Sequence, residues 1–416
     1  MSQHTLRQAN HPRLVMPMRG RDPDEPGRAA TPLELFFDLV VVVAVAFAAE
    51  RLHHALLEEV ALDALLSYAL VFFGIWWAWV NFTWFASAYD TDDVAYRLTV
   101  FAIMTGALVL AAGVPRAFDD RDFTLAVLGY VIMRVPLVVQ WLRVARDDPP
   151  RRATARRFAI GIAVCQVGWM TQLLPIGIWP LVWLVLLPAE LLVPSWAERA
   201  GRTTFHPEHI AERYGLFMII VLGETVLAAS LAIQTVMDGS GLGSSLLGVI
   251  VGGLLILYSM WWIYFDRPEE HLLDTVPTAI GWSYLHLPIF GAVAAVGAGL
   301  VVAIEEAAGH THLGSVGVGT AVGVPLVVFL ASLMILYVRV IDGWFHRLTV
   351  PVACVLILVA IQTPVPILTM GLVLAAMVTV KVVWRMRGLA PAGRASPIAA
   401  DRTHAEIRTG PGRFEP

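Results

Sequence analysis

Twelve apolar runs, each close to the length that crosses a bilayer, constrain this chain more than any other feature. A spanning helix needs about 20 mostly apolar residues. The runs have approximate cores at 33–49, 62–86, 98–114, 123–142, 158–174, 177–194, 211–235, 245–264, 280–303, 317–338, 348–363 and 366–384. In hydrocarbon every backbone N–H and C=O needs a partner within the protein, and runs of this length satisfy that as α-helices. The expectation is an all-α, polytopic membrane protein of about twelve transmembrane helices. Composition agrees, because charged residues make up only 15% of the chain and the mean hydropathy is +0.69. A soluble domain carries roughly 25% charged residues. The joints 174–177 and 363–366 are very tight and hold Pro175, and Pro364 with Pro366, which suits sharp turns.

Loop charge sets the expected orientation. With twelve spans, the even-numbered loops share a side with both termini. They carry Arg97, Arg143, Arg146, Arg151, Arg152, Arg156, Arg157, Arg199, Arg202, Arg267, Arg339 and Arg347, whereas the odd-numbered loops carry only Arg51, Arg116 and Arg121. The positive-inside rule then places both termini in the cytoplasm. Residues 1–29 contain no apolar core ahead of a cleavage site, so the first apolar run is itself the membrane address. Residues 1–29 and 388–416 lack apolar periodicity and read as disordered cytoplasmic tails. A net charge of −4 gives no reason to expect nucleic acid as a partner. Cys165 and Cys354 lie in apolar runs without framework spacing and read as buried thiols.

The second half echoes the first. Glu34-Leu-Phe-Phe-Asp38 opens span one and Glu212-Arg213-Tyr-Gly opens span seven. Trp76-Trp77-Ala-Trp79 in span two is matched by Trp261-Trp262-Ile-Tyr264 in span eight, and acidic loops follow both. Spans four and ten are both followed closely by arginine, Arg143 and Arg339. The order predicts two parallel six-helix repeats at 30–195 and 211–387, joined by a cytoplasmic linker at 196–210. Six spans per half would relate them by an axis along the membrane normal.

Ionisable residues inside the spans are the candidate functional groups, since each costs at least ~2.5–3.5 kcal/mol to insert at a helix centre. Glu34 and Asp38 share a face of span one, one turn apart. Glu34 suits the positive end of the helix dipole; Asp38, between Phe37 and a valine run, asks for another partner. His209, Glu212 and Arg213 form the corresponding helix-start motif. Glu224 lies twelve residues beyond Glu212, about 18 Å deeper, beside Gly223, which would permit close helix approach. Arg134 and His286 are its candidate partners. Glu190 sits between Pro188 and Pro194, and His286 precedes Pro288. Asp38, Arg134, Glu190, Glu224 and His286 together define the expected pathway or buried polar cluster. His206, Glu208, His209 and Glu212 are metal-capable, but one helix end without a second ligand set is not a metal site. No metal and no cofactor is expected, and the absence of a phosphate loop or nucleophile elbow argues against an enzyme.

Taken together, Glu34-Leu-Phe-Phe-Asp38-Leu, His209-Ile-Ala-Glu212-Arg213, Leu222-Gly223-Glu224 and Leu285-His286-Leu287-Pro288 resemble the bacterial low-temperature-requirement A family over roughly residues 30–388. The resemblance implies a multi-pass protein of the bacterial inner (plasma) membrane and carries no substrate with it. A looser likeness is to potassium channels built from two six-helix repeats, through Phe36-Phe37-Asp38; Gly215-Leu216 stands at the comparable place in the second half. The expected function is a proton- or cation-coupled transporter of an unknown small molecule or ion. Its alternatives are a non-transporting scaffold or stress-response component and a two-repeat ion channel. The lipid bilayer is the expected partner.

Overall fold

Residue 31 shows how this chain starts a helix. Thr31 accepts the backbone N–H of Glu34 on its hydroxyl, the Glu34 carboxylate accepts the backbone N–H of Thr31 at 2.8 Å, and Pro32 takes the first helical position, where its missing N–H costs nothing. Thr275 with Thr278 caps the ninth helix in the same manner, and Asp93 caps the third by accepting the Tyr96 N–H alone. The computed structural model describes residues 13–58, 61–174, 179–239, 243–266, 270–273, 275–337 and 344–387.

Among the described residues twelve α-helices result: α1 (Pro32–Leu57), α2 (Ala61–Tyr89), α3 (Val94–Asp119), α4 (Thr124–Asp147), α5 (Arg152–Met170), α6 (Trp179–Glu198), α7 (Pro207–Gly239), α8 (Ser244–Phe265), α9 (Val276–Ala307), α10 (Gly314–Tyr337), α11 (Trp344–Ala360) and α12 (Pro366–Met386). Each coincides with an expected span, and the chain is a polytopic membrane protein. Ten of the twelve are long and apolar enough to cross a bilayer. The exceptions have visible causes: α5 opens on Arg152, Arg156 and Arg157, and α11 is 17 residues long.

Within the first half α3 packs on α1 and α4, α4 on α5, and α5 on α6. Within the second α9 packs on α7 and α10, α10 on α11, and α11 on α12, which returns to lie along α8. Small residues set these distances. A Cβ on Gly129 of α4 would fall 2.2 Å from the Leu110 backbone nitrogen of α3, so only glycine allows that approach. Gly252 of α8 likewise abuts the Ile367 backbone of α12. The most enclosed helix is α9, which touches α1, α2, α6, α7, α8 and α10. Buried aromatics of α2 join the halves: Trp76 and Trp77 meet Tyr284, and Trp79 meets Tyr214 and Phe217, while Phe82 and Phe85 pack on Phe37 and Trp141 of the first half.

Residues 13–31 do not behave as the disordered tail expected over 1–29. They strap the end of the bundle where α1 and α7 begin, called here the start face. Met16 donates its N–H to Asp93, Met18 donates to Asp147, and the Arg13 and Leu14 carbonyls accept from Val94 and Ala95. Arg28 is buried and donates to the Ser87 and Ala86 carbonyls at the end of α2. Unpaired carbonyls at a helix C-terminus are natural partners for a guanidinium, which explains why a polar segment docks rather than dissolves. The linker is equally seated: the His206 N–H bonds Ser87 Oγ, and its Nε2 bonds the Glu25 carbonyl at 2.9 Å. Residues 1–12 and 388–416, with Pro175, Arg267, Glu269, Asp274 and Arg339, lie outside the described residues.

Candidate functional site

Two buried charge clusters and one open cleft hold most of the expected site residues, and His286 lies apart from all three. At the start face, α1 presents Glu34 and Asp38, and α7 presents His209 and Arg213. Arg213 reaches Asp38 Oδ2 from Nε at 3.0 Å, Asp38 Oδ1 from Nη2 at 2.6 Å, and Glu34 Oε1 from Nη1 at 3.0 Å. His209 Nε2 lies 3.3 Å from Glu34 Oε2, and the Trp79 indole N–H of α2 donates to Asp38 Oδ1 at 2.7 Å. All five side chains are buried. The fork of the guanidinium matches the carboxylate geometry, the arrangement in which an ion pair survives desolvation.

The register of this contact differs from the expected one. Pro32 and Pro207 each start their helix; Glu34 and His209 follow by two positions, Asp38 and Arg213 by six. Equal distances from the two prolines thus place a carboxylate of α1 against a nitrogen-bearing side chain of α7. The expected match of Glu34 with Glu212 is displaced by one turn, and Glu212 instead accepts the Ala30 N–H at 3.0 Å.

The second cluster lies wholly in the first half. Glu190 of α6 accepts Arg134 Nη2 and the Trp77 indole N–H on Oε2, at 2.7 and 2.8 Å. On Oε1 it accepts the Tyr130 hydroxyl, the Trp169 indole and the Gln166 amide, at 3.0, 3.2 and 3.3 Å. Five donors surround one fully buried carboxylate, so its charge is met in place. Trp77 and Trp79, two residues apart, point to opposite sides of α2; that helix therefore ties both clusters together.

Arg134 is accordingly not the partner of Glu224, and neither is His286. His286 is buried on α9, its Nδ1 2.8 Å from the Trp282 carbonyl and its Nε2 3.1 Å from the Tyr264 hydroxyl. Rings of Tyr214, Trp282 and Phe290 surround it. Gly223 does not mediate a close approach either: nothing lies within 4 Å of where its Cβ would be.

Glu224 stands in a cleft. Beyond Asp38 and Arg213, α1 and α7 part, and the space between them, backed by α9, has a volume of about 440 Å³. Glu224 is eleven residues past Arg213, about 16 Å further along α7, and accepts no hydrogen bond among the described residues. Glu50, His53 and His54 of α1 and Glu305 of α9 line the far part of the cleft. His53 Nε2 lies 3.2 Å from Glu305, and His54 Nε2 lies 3.9 Å from Glu50. Between the cleft and the start-face charges, Trp79, Phe217 and Phe290 close the core, with ring centroids 4.3–6.0 Å apart. A second, polar cavity of about 700 Å³ adjoins at His54 and is lined by Arg51, Glu58, Asp119 and Arg121 among others.

Asp38, Glu224 and His286 therefore do not converge on one cavity, as the expected pathway required. Glu50, His53 and Glu305 were absent from the expected set. The signal was present in Glu50-Arg51-Leu-His53-His54, a charged turn closing an apolar helix, but it reads equally well as an interfacial end. The indole donors Trp77 and Trp79 were also missed as charge partners, since tryptophan in an apolar run reads first as packing.

A family model described as bacterial low temperature requirement A protein matches residues 29–383. An uncharacterized protein of Rhizobium meliloti (strain 1021) is 30% identical over 278 residues, an alignment that takes in 62% of this chain and 66% of that one, just under two thirds of the relative's length. No solved structure matches.

Proposed function

The chain belongs to the bacterial low temperature requirement A family, and from that premise we propose that it is a proton- or cation-coupled carrier of a small molecule or ion, with its pathway in the cleft between α1, α7 and α9. The observation that carries the reading is Glu224, a carboxylate within the span of α7, half-buried at the side of a 440 Å³ cleft and without a donor among the described residues. An ionisable group at that depth is costly and is kept where it faces water, an ion or a substrate. The start-face ion pairs and the Trp79–Phe217–Phe290 packing would then be the closed gate on the other side, and alternating access would require α1 and α7 to exchange which ends touch.

Two further expectations enter this reading. The halves are proposed to be parallel six-helix repeats. Support comes from the shared proline starts of α1 and α7 and from matching neighbour order, α1–α3–α4–α5–α6 against α7–α9–α10–α11–α12. The start face is proposed to be cytoplasmic in a bacterial inner membrane, because Arg143, Arg151 and Arg202 gather there while Arg51, Arg116 and Arg121 lie at the opposite end.

The test is flux in proteoliposomes under an imposed proton or sodium gradient, wild type against Glu224→Gln. The carrier reading expects gradient-driven uptake that the variant loses while still eluting as a folded species. Uptake unchanged in Glu224→Gln removes the carboxylate from the mechanism. A scaffold reading is favoured by the buried, hydrogen-bonded settings of Asp38, Glu190 and His286; it expects no flux from either protein and recovery of a bound partner.

A further inference from the structure

We propose that the α1–α7–α9 cleft binds organic cations: a single positive charge, such as an ammonium or other onium centre, on an apolar body. The proposal rests on the carrier reading and names the substrate class for the same cleft. Three carboxylates line it, Glu50, Glu224 and Glu305, and among the described residues no lysine or arginine does. The neighbouring Arg51 is turned away, its guanidinium 3.2 Å from Asp119. The histidines that line it stand beside carboxylates rather than beside Glu224. An anion entering would meet a lining whose acidic groups are not offset by any arginine or lysine; a cation would meet Glu224, which accepts no hydrogen bond among the described residues.

The rest of the lining sets the body to which that charge is attached. Phe47, Leu227 and Leu231 are each at least a third exposed, so the cleft is open along apolar walls. A strongly hydrated solute would lose water there without replacement partners. A bare metal ion is also poorly served. The carboxylates are spread along the cleft, and among the described residues no three His, Cys, Asp or Glu side chains are grouped to hold a metal. An apolar cation satisfies both surfaces at once: its body takes the place of lipid or water against the walls, its charge stops at Glu224, and a ring such as Phe47 adds a cation–π face. The volume of about 440 Å³ falls in the range that holds drug-sized molecules.

The experiment is equilibrium binding of radiolabelled tetraphenylphosphonium to the full chain in lipid nanodiscs, with tetraphenylborate as the anion of matching shape. Saturable binding of the phosphonium is expected, weakened about tenfold or more by Glu224→Gln and less by Glu50→Gln. Glu212→Gln, outside the cleft, should leave it unchanged. Because Glu50→Gln and Glu224→Gln sit on different helices, loss in both with an unaltered elution profile separates binding from misfolding. No saturable binding, equal binding of the borate, or full binding by Glu224→Gln overturns the proposal. If the phosphonium fails to bind but another solute shows Glu224-dependent flux, the substrate class falls and the carrier reading stands. If the phosphonium binds but never crosses a proteoliposome, the site stands and the carrier reading falls.

Discussion

Replacing Arg213 with methionine removes the guanidinium that bridges α1 and α7 through both Asp38 and Glu34. The guanidinium is fully buried and faces three carboxylate oxygens, Asp38 Oδ1 at 2.6 Å, Asp38 Oδ2 at 3.0 Å and Glu34 Oε1 at 3.0 Å. Methionine fills much of the same space and leaves two acids side by side, one turn apart on α1. Breaking a buried ion pair by deleting one partner costs about 3–5 kcal/mol. Asp38 would keep the Trp79 indole donor and Glu34 would keep the Thr31 N–H, with His209 close by. The expected loss therefore sits at the lower end, about 3 kcal/mol, a change of roughly a hundredfold in the folded-to-unfolded ratio. Adding Asp38→Asn removes the stranded charge yet retains an oxygen for Trp79, so the double variant should recover more than half of that loss. Lysine at 213 should recover little, since one ammonium cannot reproduce the fork. The four corners of the cycle can be measured by reversible unfolding in mixed micelles followed by tryptophan fluorescence. A loss below about 1 kcal/mol for Arg213→Met, or single-variant losses that add without coupling, would refute the dependence.

Glu190→Gln places an amide NH₂ where two or three donors converge, and the same unfolding assay should read a loss of about 3 kcal/mol; a loss under about 1 kcal/mol would mean that the five hydrogen bonds do not act together. Gly129→Ala should destabilise by about 1–3 kcal/mol because its methyl would overlap the α3 backbone, while Gly223→Ala, with open space around it, should be neutral or gain up to about 1 kcal/mol. Asp90, outside the spans, has its carboxyl pushed up to about 6 by burial and by the nearby Glu34 charge, against the pull of Arg21. Its contribution is present in full below the ordinary value of 3.8 and is lost as pH rises through about 6, so Asp90→Asn should flatten the fall in stability between pH 4 and pH 6.5, read by thermal unfolding at stepped pH.

Helix number and position were legible because twenty-residue apolar runs have one solution in hydrocarbon, and all twelve lie where the runs predict. Pairing was not. Arg134, Glu190, Glu224 and His286 all sit in apolar runs, and nothing local says which of four carries whose charge; the answer depends on helix neighbours that the sequence does not order. Glu34 illustrates a finer failure. Matching acid to acid pairs it with Glu212 in the sequence, whereas in the structure Glu34 lies against His209 and Arg213 while Glu212 accepts the Ala30 N–H. The strap at 13–31 was illegible for a different reason: it is held by the backbone carbonyls of Ala86, Ser87 and Ala88 and the backbone N–H groups of Met16 and Met18, which no side-chain pattern announces.

The separation of 175 residues between Asp38 and Arg213 also has a consequence for biogenesis. The first helix leaves the ribosome with two carboxylates and without the guanidinium that will neutralise them. At about 5–20 residues per second, the wait is roughly 10–35 s. During that interval α1 cannot rest stably in lipid with both acids ionised. It must stay beside the insertion machinery, keep its start at the interface, or hold protons until α7 arrives. Neutralisation of the two α1 carboxylates would then be a charge transaction between α1 and α7, completed only once α7 has emerged.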